Sequence, residues 1–112
     1  MTDNSSQQTL LHAASLISSA ERLLTQAIGR SSSPATVTLL NREYARLDSL
    51  LSRLLHAQGC NDEELRSTLP ALKQQAATLQ PSDAGIVGTA DVVTASTILS
   101  YVTRAINLIG SL

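Results

Sequence analysis

Apolar residues recur at steps of three and four in separate stretches of the chain, and no other pattern in the sequence is as extensive. Such steps keep side chains on one face of an α-helix, and amphipathic helices can bury these faces only against one another. The pattern predicts an all-α fold, a small four-helix bundle built from helical hairpins with coiled-coil-like heptad packing. The stretches are Leu10, Ala13, Ile17, Ala20, Leu24 and Ala27; Val37, Leu40, Tyr44, Leu47, Leu51 and Leu54; Leu65, Leu69, Leu72, Ala76 and Leu79; and Ala95, Ile98, Val102, Ala105, Ile109 and Leu112.

The ends of the predicted helices are marked by capping residues. Ser33 followed by Pro34 is a typical helix start, and Asn61 precedes a run of three acidic residues that suits the positive end of a helix. Gly29 and Gly59 are expected to stop the two preceding helices. The chain therefore reads as a polar lead-in at 1–5 and a single helical domain at 6–112, with helices at about 6–28, 34–58, 62–79 and 89–111.

Two of these helices carry a local conflict. Pro70 removes a backbone donor inside the third helix, so either a kink there or two short helices that meet near Leu69 would result. The apolar stripe stays in phase across Pro70, so we expect one helix kinked at Pro70. The fourth helix is rich in Val, Thr and Ile, which favour strands, but its apolar periodicity over more than about twenty residues favours a helix.

Composition argues against several functional classes. Aromatic residues make up 2% of the chain and the net charge is −1, which favours neither nucleic acid nor a membrane surface as a partner. His12 and His56 have no carboxylate or thiol at metal-ligand spacing, and Cys60 is the single cysteine. No nucleotide-binding or hydrolase motif is present, so we predict no catalytic residues, no cofactor and no metal. The start of the chain has no Sec-type signal, which favours a cytoplasmic protein and leaves non-Sec export open.

The fourth helix has an unusually wide apolar arc, of roughly 200°, against about 100° for an ordinary surface helix. Three interpretations compete: the helix is central to the bundle, its surface is completed by another chain, or it anchors the protein in a membrane. Its many hydroxyl groups and an arginine argue against a membrane span. If another chain covers the arc, the contacting residues are predicted to be Val92, Leu99, Tyr101, Ile106 and Leu108.

A basic face is predicted on the second helix. Arg42, Arg46 and Arg53, together with His56, fall within about 80° of one another, on the side away from the apolar stripe. This face is either simply solvated, or it binds an acidic protein partner, or it binds nucleic acid.

The sequence as a whole favours a non-enzymatic module for protein–protein interaction that acts through apolar helix faces, chiefly the C-terminal one, on a partner or in a homo-oligomer. Adaptors, small chaperones and assembly subunits belong to this class. The polar start, the scarcity of aromatic residues and the apolar last helix resemble helical export subunits and their chaperones in architecture only. The alternative is a small helical regulator that binds nucleic acid or an acidic partner through its arginine face.

Overall fold

A computed structural model describes residues 4–78 and 92–112, without the side chains of residues 4, 5, 62, 92 and 93. The described chain is helical with short connections and contains no strand. This confirms the predicted all-α class. The helices are α1 (Asn4–Arg30), α2 (Pro34–Gln58), α3 (Asp62–Thr78) and α4 (Val92–Gly110).

The described helices pack as an elongated bundle of 52 × 20 × 20 Å. α1 has its main contacts with α2 and α4, and α3 packs less extensively on the same two helices. Neighbours run antiparallel: Gln7 Nε2 near the start of α1 lies 3.4 Å from the carbonyl oxygen of Cys60, just beyond the end of α2. Likewise, Gln75 near the end of α3 donates to Ser49 in the middle of α2. The short connections at 31–33 and 59–61 require this reversal of direction.

The core is aliphatic and follows the predicted stripes. Each described helix contributes fully buried side chains to one continuous cluster, which needs no aromatic ring at its centre. Burial of each Leu or Ile contributes about 1.5–3 kcal/mol relative to exposure. The largest of these side chains are Leu10, Ile17, Leu24, Leu40, Leu50, Leu54, Leu72, Ile98, Val102 and Ile109.

Capping explains most of the observed helix ends. Ser33 is extended and its Oγ accepts from the backbone N–H of Thr36, while Asn61 Oδ1 accepts from the backbone N–H of Glu64 at 2.9 Å. Gly59 caps the end of α2, as predicted. Gly29 does not stop α1, which extends two residues beyond the predicted end at residue 28, to Arg30, with no positive φ at the glycine.

Pro70 does not divide the third helix into two. α3 continues through Pro70 as one helix, so the alternative of two short helices meeting near Leu69 is wrong. Pro70 is exposed, so its ring lies on the outer side of the helix and does not enter the core. The predicted start of the fourth helix at residue 89 and the end of the third at residue 79 lie outside the described residues.

Candidate protein-binding surfaces

Large exposed apolar side chains occur where two leucines are adjacent in a helix. Neighbouring helical residues point about 100° apart, so one leucine of a pair can enter the core while the other faces outward. In three such pairs the core member is fully buried and its neighbour is 40% to 53% exposed. The sequence analysis did not single out the outer members, although the doubled leucine is a visible signal for them. The pairs are Leu10 and Leu11, Leu40 and Leu39, and Leu54 and Leu55, with the buried member first.

Leu11 and Leu55 lie on facing edges of α1 and α2. Gln7 contacts the end of α2, and Leu11 follows it by one helical turn on the same face of α1. Asp48 forms a hydrogen bond with Glu21 of α1, and Leu55 follows Asp48 by two turns on the same face of α2. Because the helices are antiparallel, both leucines fall at one level along the bundle. We call these two side chains the Leu11–Leu55 patch.

The residues predicted as an interface on α4 are mostly used by the bundle itself. Ile106 is buried in the core, with 9% of its surface exposed. Leu99, Tyr101 and Leu108 are half-buried and pack against the core, so each keeps an exposed edge. The side chain of Val92 lies outside the described set. The wide arc of α4 therefore has an internal explanation, since α4 packs on both α1 and α3.

The structure brings the basic residues of α2 to the outer groove between α2 and α3. Arg42 and Arg46 line a shallow depression with residues near the end of α3, and Arg53 and His56 line another with residues nearer its start. Arg46 Nη2 donates to the carbonyl oxygen of Thr78 at 2.9 Å. These side chains therefore flank a neighbouring helix, where the sequence suggested a face remote from the packed surfaces. We call Arg42, Arg46, Arg53 and His56 the basic groove.

A buried carboxyl group lies between α1 and α2. Glu21 is 6% exposed, and its Oε2 atom has no hydrogen-bond partner among the described residues. Burial first, then the hydrogen bond with Asp48 and the negative charge of Asp48, raise the pKa of Glu21 from 4.5 to about 7. The Glu21–Asp48 pair is therefore a place where folding and protonation are coupled.

The remaining reactive side chains occupy ordinary structural positions. Cys60 is a buried free cysteine whose thiol donates to the backbone carbonyl of His56 at 3.4 Å. His12 is exposed and lines a shallow depression beside Arg104 and Leu108 of α4. In the described part of the chain, no group of three His, Cys, Asp or Glu residues is arranged to hold a metal ion. None of the described helices combines the length and apolar character needed to cross a membrane.

Comparison with known proteins gives no further assignment. The sequence matches no protein-family model, and neither a curated protein nor a solved structure shows significant similarity to it. Function must therefore be inferred from the surfaces of this chain.

Proposed function

We propose that this protein is a non-enzymatic helical module for protein–protein interaction, in the class of adaptors, small chaperones and assembly subunits, including those of an export apparatus. The Leu11–Leu55 patch supports this proposal most directly. A singly exposed leucine is common on a monomer, whereas two that are each 53% exposed, at one level on adjacent helices, concentrate exposed apolar surface in one region.

The surroundings of the patch suit a contact with another helix. The groove between two antiparallel helices accepts the apolar ridge of a third helix, because side chains spaced by three or four residues interdigitate. Leu51, one turn before Leu55, is half-buried against the core and extends the apolar surface into the groove. The exposed edges of Tyr101 and Leu108, which are seven residues apart on one flank of α4, add further apolar surface at residues that the sequence singled out.

The test replaces both leucines of the patch with glutamate, Leu11→Glu and Leu55→Glu together. The matched control is Gln26→Glu with Asn41→Glu, which adds the same charge at exposed positions on the same two helices. Association is measured by analytical ultracentrifugation of the purified protein and by quantitative capture from the native cell, with helicity checked by circular dichroism.

An interaction module predicts that the wild type either self-associates or captures a defined protein. The patch variant should weaken that association by at least about tenfold, because two apolar side chains of this size contribute several kcal/mol at an interface, while the control should stay within about twofold. A wild type that remains monomeric and captures nothing, or a patch variant that associates as well as the control, would contradict the proposal.

A further inference from the structure

The basic groove collects three arginines and a histidine of α2 along one side of the α2–α3 pair. No ion pair of Arg42 or Arg53 is found among the described residues, and Arg46 has only a long contact of 3.8 Å between its Nη1 and Oε1 of Glu43. A third depression along the same groove is lined by Arg53 and by residues of α3. None of the described residues that line the three depressions is an aspartate or a glutamate. Arg42 and Arg53 are therefore exposed without an ion-pair partner among the described residues, and Arg46 between them is partly exposed.

The side chains that line the groove beside the arginines are mostly small, so a partner could approach the helix backbones closely. Small side chains of α2 and α3, among them Ala45, Ser49 and Ala71, line the same depressions as the arginines. Gln75 donates to Ser49 Oγ at 2.9 Å, and Arg46 holds the last turn of α3 through the carbonyl of Thr78. These two bonds join the two walls of the groove.

We infer that the basic groove binds an acidic helical segment of a partner protein; the inference rests on the proposed role as an interaction module and adds the chemistry of one partner. The arginines are separated by four and seven residues along α2. At about 1.5 Å per residue these intervals are about 6 and 10 Å. A second helix laid along the groove meets all three with carboxylates at the same separations, and guanidinium groups bind carboxylates in a two-pronged geometry.

A protein segment fits this groove better than nucleic acid does. The groove has no Phe, Tyr or Trp among its described lining residues, and these are the large rings that single-stranded nucleic-acid sites use for base stacking. The whole chain carries a net charge of −1, so its long-range field does not attract a polyanion. Three arginines in one line also match a short acidic stripe more closely than the double row of phosphates on a duplex.

The test uses a fluorescent alanine- and glutamine-rich helical peptide of about 20 residues, with glutamates separated by four and seven residues. The comparison ligands are the same peptide with glutamine in place of each glutamate, and a DNA duplex of about 20 base pairs. Binding is followed by fluorescence anisotropy at about 50 and 300 mM salt, because screening weakens exposed charge pairs.

The decisive variant is Arg42→Glu with Arg53→Glu, and its control is Arg22→Glu with Arg66→Glu. All four arginines are exposed, and the two variants have the same net charge. If the groove is the site, the first variant loses at least about tenfold in affinity for the glutamate peptide, and the control loses no more than about twofold. Arg42→Gln with Arg53→Gln repeats the measurement with neutral side chains, in case charge reversal perturbs folding.

Several results would overturn the inference: no binding by the wild type, equal loss in both charge-reversal variants, equal affinity for the glutamine peptide, or tighter binding to the duplex. The Leu11→Glu and Leu55→Glu variant should bind the peptide like the wild type. Both changes lie where α1 and α2 face each other, whereas the basic groove is on the other flank of α2, towards α3. Failure at the groove is thus distinguishable from failure of the apolar patch.

Discussion

Replacing Glu21 with glutamine should stabilise this protein at neutral and alkaline pH and change little in mild acid. The carboxyl group is 6% exposed between α1 and α2, with one oxygen unpaired among the described residues and Asp48 as its neighbour. Ionisation in this position costs free energy because water is excluded and the nearest charge is of the same sign. Glutamine has nearly the same shape and cannot ionise, so the substitution isolates the cost of the charge.

The sign and size follow from the two protonation equilibria. The pKa of Glu21 is raised from 4.5 to about 7 on folding, so the folded protein holds this proton more tightly than the unfolded chain. Its contribution to stability is complete below about pH 4.5, is lost as the pH rises towards 7, and stays lost above that. One pKa unit corresponds to about 1.4 kcal/mol, which sets a ceiling of about 3 kcal/mol.

Urea denaturation at a series of pH values between about 5 and 8 measures this effect for the wild type and for Glu21→Gln. The variant should match the wild type within about 1 kcal/mol near pH 5 and exceed it by up to about 3 kcal/mol near pH 8. Glu63→Gln, at an exposed position in the first turn of α3, should leave the slope over this interval unchanged. Parallel curves for the wild type and Glu21→Gln would refute the argument, because they would show that the buried carboxylate is charged in the fold at no cost.

Three further substitutions test the packing. Pro70→Ala should stabilise the protein by about 1–2 kcal/mol in urea, since Pro70 is exposed inside α3 and alanine restores a backbone donor; a loss of more than about 2 kcal/mol would show that a bend at the proline is required for packing. Leu54→Ala should cost about 2–5 kcal/mol and Leu55→Ala less than about 0.5 kcal/mol, because these neighbours are 0% and 53% exposed. Similar losses for both would mean that Leu55 is covered in solution, which an assembly would explain.

The helices could be predicted from the sequence because their apolar spacing and their capping residues agree. Ser33 and Asn61 occupy the capping positions at which the pattern placed them, and the hydrogen bonds to Thr36 and Glu64 are formed. The error at Gly29 concerns two residues, since α1 ends at Arg30 and not at residue 28. A glycine lowers helical stability without forbidding the helix, so its position marks an end only when the following residues can make the capping bonds.

The surfaces were harder to predict, because periodicity gives the width of an apolar face and does not give the number of neighbours. α4 has a wide arc since it packs on both α1 and α3, and from the sequence the same arc fitted a surface for another chain equally well. For the same reason, the sequence does not show whether Leu11 and Leu55 are covered by a neighbouring helix or left exposed. Only the three-dimensional register of α1 against α2 places these two leucines at one level along the bundle.

The arrangement of α2 explains how a small bundle can have two chemically different surfaces. Its buried stripe, from Leu40 through Leu47 to Leu54, is completed by the other helices and leaves both flanks of α2 available. The flank towards α1 carries Leu55, and the flank towards α3 carries the arginines, so apolar and charged contacts are separated by the width of the helix. Leu55, Arg42 and Arg53 on these flanks are exposed and lie outside the buried core. Substitutions on them should therefore change association far more than stability, which is the behaviour expected of a surface that serves recognition.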